Sequence, residues 1–334
     1  LGYSPRISDL VASTDEEWGD PEENQKGIVY YGIPRIDNAL YGMNTRRGEI
    51  IAIQAMKKNR KTTCAINILY NVALQFRKRG VWLCADTMES GMPPEAYRDV
   101  MIAMSATRKL IADVFGKDRK NWPPYHDLVN HPDIENEIGI SKEFLLYNKR
   151  TRRQHDAIEW AKTNLSKLPI LLFGASPTQG KARNLKLSMQ RWDMLYNGDH
   201  PQAKGCLVRL FTADHLQQYP GESDYKKLEE VVNVYSEFVT SHPGTIVIAI
   251  SQVSLTSARE ARQGFGKMTA KGGDKLGAEC NVLFTTRYDR VAAPHEVTIE
   301  VTETRRRPPP AVVQEIEPNS GVFLRPARLA EGEW

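Results

Sequence analysis

The sequence predicts an α/β protein: a largely parallel central sheet covered by helices, with antiparallel strands at the C-terminal end. Three observations carry this. Short, continuously apolar runs recur along the chain, as strands buried on both faces require. Helix-length amphipathic stretches alternate with them, the pattern of a parallel sheet. Beyond Glu296 the runs give way to strict alternation, which marks strands with one wet face.

Each element follows in order. Residues 1–28 are acidic, with Asp9, Asp15, Glu16, Glu17, Asp20, Glu22 and Glu23 against Arg6 and Lys26. Ser8 to Val11 suits a helix start and Asp20-Pro21 a break, so this stretch reads as an arm with little core of its own. Residues 29–334 then form one domain. The run 49–54 is the first core strand. A basic loop follows, then a helix over 62–79, where Ala65, Ile66, Leu69, Val72, Ala73 and Phe76 recur at helical steps and Gly80 is the stop. A second strand is expected over 81–85 and a helix over 94–104. Residues 116–150, with Trp122-Pro123-Pro124 and many charges, read as an insertion or a long irregular connection. Helices over 156–168, 178–196 and 225–241 alternate with strands over 169–173, 206–213, 245–250 and 282–285. In the tail, Val297, Ile299 and Val301 alternate with Thr298 and Glu300, and 312–316 and 322–324 read alike, as half-exposed antiparallel strands.

Composition excludes several classes. The chain has 334 residues, 41% hydrophobic and 26% charged, which rules out a disordered or fibrous protein. No run approaches ~18 apolar residues, so no membrane span is expected. The net charge of +4 is nearly neutral and neither argues for nucleic acid nor excludes it. Nothing at the start has the pattern of a secretory signal. The four cysteines form no CxxC pair, which fits a reducing, cytoplasmic setting without zinc or a disulfide framework.

The chemistry concentrates at strand ends, where open α/β sheets bind ligands. After the first strand comes Ala55-Met56-Lys57-Lys58-Asn59-Arg60-Lys61-Thr62-Thr63. The phosphate-loop pattern is G-x-x-x-x-G-K-[ST], and its Lys-Thr pair stands here between strand and helix. In that role Lys61 and the helix amides hold phosphates and the Thr62 hydroxyl ligates magnesium. Both glycines are absent, and Arg60 stands at the second. A basic turn that attracts anions without nucleotide selectivity is the plainer reading of the loop alone. Asp214 ends the fourth strand, the magnesium-water position of such sites, although Asp also caps turns. Gln252, after the fifth strand, offers an amide to a γ-phosphate, or simply forms a turn. The segment 255–275 is mobile by its glycines and carries Arg259, Arg262, Lys267, Lys271 and Lys275 against Glu260 and Asp274. It suits a nucleic-acid backbone, or a solvated loop.

Taken together, residues 27–325 resemble the ATPase domain of hexameric replicative DNA helicases of the DnaB type, built on a RecA-like P-loop core. The resemblance rests on 32–40 as the entry segment and on 47–49 as the lead into the first strand. It rests further on Ala213-Asp214-His215-Leu216-Gln217 beside the family's Asp-Tyr-Leu-Gln, and on Ile250-Ser251-Gln252-Val253-Ser254 as its Ser-Gln motif. Ala55 matches the Ala that family members often carry at the first glycine. The resemblance implies ATP and Mg2+ at 55–63 and Asp214, and Arg305 as an arginine finger reaching the neighbouring subunit's nucleotide. It also implies the 255–275 loop in a ring's central channel on single-stranded DNA, homohexamer assembly, and possible primase or other replication partners in a bacterial or phage setting. The acidic arm resembles the family's linker helix. The chain departs at Arg60, at Thr87, which falls on the water-activating glutamate position with Asp86 and Glu89 as neighbouring carboxylates, and at Glu303, where the finger's companion lysine belongs. These departures support an alternative: a degenerate RecA/DnaB-like DNA-binding or assembly protein that does not hydrolyse ATP. A recombinase-like or clock-type RecA relative is a third reading.

Overall fold

The computed structural model describes residues 27–46, 48–87, 93–134, 137–174, 185–218, 223–253, 275–304, 310–324 and 328–329. A short antiparallel pair, β1 (Ile28–Val29) and β2 (Met43–Asn44), flanks helix α1 (Pro34–Leu40). The main sheet contains β3 (Glu49–Ala55), β4 (Trp82–Thr87), β5 (Ile170–Gly174), β6 (Val208–Asp214), β7 (Ile246–Gln252), β8 (Val282–Arg287), β9 (Glu296–Thr304), β10 (Val312–Glu315) and β11 (Arg328–Leu329). Their spatial order is β11-β10-β9-β8-β3-β7-β6-β4-β5. The strands from β8 to β5 run parallel, and β9, β10 and β11 are antiparallel. The α/β class with a largely parallel sheet and an antiparallel end is therefore the one expected.

The apolar runs are strands because both faces are covered. On β3, Ile51 and Ile53 enter the core shared with α1 and α2 (Lys61–Arg77), while Ile50 and Ala52 enter the opposite core. On β7, Ile246, Ile248 and Ile250 face the first core and Val247 and Ala249 the second. The second core is closed by α7 (Leu185–Asn197) and α8 (Asp224–Ser241), through Trp192, Leu195, Val231 and Tyr235. Each fully buried side chain of this size contributes about 1.5–3 kcal/mol.

Three expectations are corrected. Helix α3 spans Pro94–Phe115 instead of stopping at 104. Its second half is held by packing Ile102, Ala106 and Leu110 on Ala157, Ile158 and Ala161 of α6 (Arg152–Leu165). Within 116–150 the described residues hold a 3-10 turn at Arg119–Asn121 and helices α4 (Tyr125–Val129) and α5 (Lys142–Tyr147), so the stretch is no irregular connection. Trp122, Leu128, Ile134 and Ile138 are buried in the main core. They are spread singly among polar residues, so they leave no periodic trace. In the tail, β9 alternates as expected, but β10 is buried throughout and 322–324 is no strand. That segment makes a single bridge, Ile316 to Phe323, and buries Val322, Phe323 and Leu324. Among the described residues, no helix is long and apolar enough to cross a membrane.

Candidate functional site

The loop between β3 and α2 lies where the parallel strands end, beside the end of β7. The register places Ala55 opposite Gln252, and the Val253 amide donates to the Ala55 carbonyl at 2.9 Å. Lys58 and Arg60 both have left-handed backbones, with φ of 69° and 60°. Arg60 thus takes the conformation that glycine normally supplies, at a cost of about 1–2 kcal/mol. Contacts of its side chain offset this. Its Nη2 donates to the Pro318 carbonyl at 2.7 Å and to the Tyr288 hydroxyl at 3.2 Å, and the guanidinium lies 4.7 Å from the Tyr288 ring centre. The Thr286 hydroxyl donates to the Asn59 carbonyl at 2.8 Å. Arg60 is also the N-cap of α2, and no side chain caps that helix. The first-turn amides and the positive end of the helix dipole therefore face the loop.

Thr62 and Asp214, expected as the magnesium pair, meet here: the Thr62 hydroxyl donates to Asp214 Oδ2 at 2.9 Å. Asp214 is 1% exposed. A hydroxyl and a carboxylate are hard oxygen donors, and this set fits magnesium. Burial and the Asp214 carboxylate together hold the Tyr97 phenol well above its usual range. Over the loop opens a cavity of about 500 Å3. Among the described residues its lining includes Lys57, Lys58, Arg60, Lys61, Lys142 and Arg290 against one carboxylate, Glu143, with Asn59, Thr62 and Thr63 on the loop side. The cavity's charge and size suit a polyphosphate ligand.

The remaining expected residues divide. Thr87 is buried beside Asp214 in the sheet register, and its hydroxyl donates to the Phe173 carbonyl at 3.2 Å. Asp86 turns to the opposite face, where it pairs with Arg191 and accepts from Trp192 Nε1 at 3.2 Å. Gln252 is half-buried, and its backbone amide donates to Gln217 Oε1 at 3.0 Å. Gln217 Nε2 donates to the Ser251 hydroxyl at 2.7 Å. Gln217 thus ties the loop after Asp214 to the end of β7. Lys275, in helix α9 (Lys275–Glu279), pairs with Glu279 at 2.8 Å. Glu89, Arg259, Arg262, Lys267, Lys271, Arg305 and the 1–26 part of the acidic arm lie outside the described residues.

Sequence reasoning missed the wall contributed from the C-terminal side. Glu317 is buried and accepts from the Ser320 and Asn319 amides at 2.6 and 3.1 Å, which shapes the 317–321 turn. Burial raises its carboxyl above the usual range, against those hydrogen bonds. Asn319 and Ser320 then line the cavity. Glu317-Pro318-Asn319-Ser320-Gly321 reads as a turn, but nothing in it says where the turn docks.

No family model and no curated protein matches the chain. The folded shape does find counterparts. A solved structure of an ATPase domain matches with a TM-score of 0.65 at 14% identity, covering 97% of this chain and 99% of that one. The fold is RecA-like. A DnaB-like replicative helicase, in a structure describing its interactions with primase, matches with a TM-score of 0.67 at 14% identity, over 97% of this chain and 67% of that one. A KaiC-like protein from Pyrococcus horikoshii OT3 follows at 0.51 and 12% identity, over 87% of this chain and 96% of that one. The loop after β3, Asp214 and Gln252 stand at the ends of three neighbouring strands, β3, β6 and β7, with β7 central.

Proposed function

We propose that this chain is a DnaB-like motor domain that binds ATP with Mg2+ and assembles as a ring, a homohexamer, on single-stranded DNA. The observation that carries it is the Thr62–Asp214 pair at 2.9 Å beneath a cation-lined cavity and an uncapped 17-residue helix. Lys61 and the first amides of α2 hold the phosphates. Thr62 and Asp214 hold the metal, which when bound neutralises phosphate charge and polarises the phosphoryl group. Gln252 senses the γ-phosphate and Gln217 orients it. Arg305 completes the neighbouring subunit's site, and Arg259, Arg262, Lys267, Lys271 and Lys275 line the channel. Primase or another replication protein is the expected partner, in the cytoplasm. The test is ATP titration together with a strand-displacement assay on the purified assembly. ATP binding with unwinding is expected, and absence of both rejects the reading.

Thr87 favours a second reading, an assembly that binds ATP and DNA without hydrolysis. A threonine whose hydroxyl is bonded to Phe173 cannot take a proton from water in place of a carboxylate. Binding without turnover in the same experiment selects this reading. ATPase activity above about 1 s⁻¹ per subunit, within the ordinary range for enzymes, excludes it.

A further inference from the structure

The arginine at the second glycine position is built into the cavity rather than merely tolerated. A guanidinium has five N–H donors in one plane. In Arg60 one nitrogen, Nη2, makes both bonds to the wall, at Pro318 and Tyr288, and the plane is set against the Tyr288 ring. That ring is itself fixed, because the Tyr288 hydroxyl donates to the Pro294 carbonyl at 2.9 Å. The Pro318 carbonyl is fixed as well, by the turn that Glu317 organises. Nη1 and Nε make no hydrogen bond with any described residue, and Arg60 lines the cavity. Both paired edges of the group include Nη2, which the wall holds, so Nη1 is left to donate singly to a phosphate oxygen from a set orientation.

The surrounding charge points the same way. With six cations against Glu143, the cavity carries the positive charge that a divalent ion ordinarily brings to a polyphosphate.

We propose that Arg60 is a direct phosphate ligand, held by Tyr288 and the 317–321 turn, and that it makes polyphosphate binding at this site independent of a divalent cation. The proposal rests on the nucleotide reading above and adds a property to it.

The experiment is calorimetric titration of the full chain with ATP, in EDTA and in Mg2+, on wild type, Arg60→Gly and Arg60→Lys. Glycine suits a φ of 60°, so Arg60→Gly is expected to fold, and thermal melting checks this. Wild type should bind ATP in EDTA within about threefold of its affinity in Mg2+. Arg60→Gly should lose at least tenfold in EDTA and less than threefold in Mg2+, and Arg60→Lys should lie between, since lysine keeps the charge and not the planar group held against Tyr288. Inorganic tripolyphosphate should displace ATP in EDTA, because the phosphates carry the binding; failure to displace it counts against the proposal. Wild-type binding that disappears in EDTA while persisting in Mg2+ overturns the proposal and leaves the nucleotide reading standing. Arg60→Gly that binds like wild type in EDTA also overturns it. No ATP binding in either buffer removes the nucleotide reading, and this proposal with it.

Discussion

Asn67→Ala tests how α2, the helix that follows the basic loop, is held. Asn67 lies in the second turn of α2 and is fully buried. Its Nδ2 donates to the carbonyls of Thr63 and Gly321 at 2.8 and 3.0 Å. Its Oδ1 accepts from the Phe323 amide and Arg108 Nη2, both at 3.0 Å. Truncation to alanine strands three groups from other elements: one carbonyl, one amide and one guanidinium. The two neutral bonds are worth about 1 kcal/mol each and the charged one about 1.5–3 kcal/mol. Alanine's better helix propensity returns about 0.5 kcal/mol. The expected loss is about 3–4.5 kcal/mol, measured by urea unfolding with circular dichroism. At about 2 °C per kcal/mol for a domain of this size, the melting temperature falls about 6–9 °C. Asn71→Ala is the control: its side chain donates to the Tyr31 carbonyl at 3.1 Å, so about 1 kcal/mol is expected. A loss at Asn67 no larger than at Asn71 refutes the account of the turn as a clamp on α2.

Other predictions concern titration and turnover. Burial raises the Asp37 carboxyl from 3.8 to about 6 against the hydrogen bonds from Tyr31, Gly32 and Ile33. The native state therefore holds this proton more tightly, and the stability it contributes below pH 4 is lost as pH rises through 6. Asp37→Asn should remove that fall, so the gap between wild-type and variant urea midpoints changes between pH 4 and pH 7; a constant gap rejects the assignment. Thr87→Val should leave any ATP turnover within twofold while costing about 1 kcal/mol of stability, because the hydroxyl serves the Phe173 carbonyl; a tenfold drop in turnover with the fold intact gives it a chemical role. Gln217→Leu removes the bonds to Ser251 and Gln252. Turnover should fall at least tenfold with ATP affinity within threefold, and a parallel loss of affinity would take Gln217 out of this role.

The parallel sheet was readable because its strands are covered on both faces, which writes uninterrupted Ile, Val and Ala into β3 and β7. Helix α2 was readable only on its sheet-facing stripe. Its other side is equally buried, at Asn67 and Tyr70, under α3 and the 317–324 segment, and a polar residue gives no hydrophobic signal. The juxtaposition of Thr62 and Asp214 was expected from motif order, since both stand at the same end of the parallel strands. Arg60 misled for a physical reason. The sequence shows a side chain where glycine is usual, and it does not show Tyr288 and Pro318 waiting to hold that side chain. Those partners are more than 220 residues away, beyond the reach of any local pattern.

The turn at 317–321 also sets a time at which the site can exist. Pro318 contacts Arg60 across 258 positions, and Gly321 contacts Asn67 across 254. A chain emerging from the ribosome N-terminus first has its phosphate loop and α2 exposed long before these partners are made. The long loop they close makes their docking a late folding event. A nascent or truncated chain ending near residue 300 would hold most of the parallel sheet yet lack the cavity wall that Asn319 and Ser320 form. Completion of the polypeptide and completion of the cavity thus become one event.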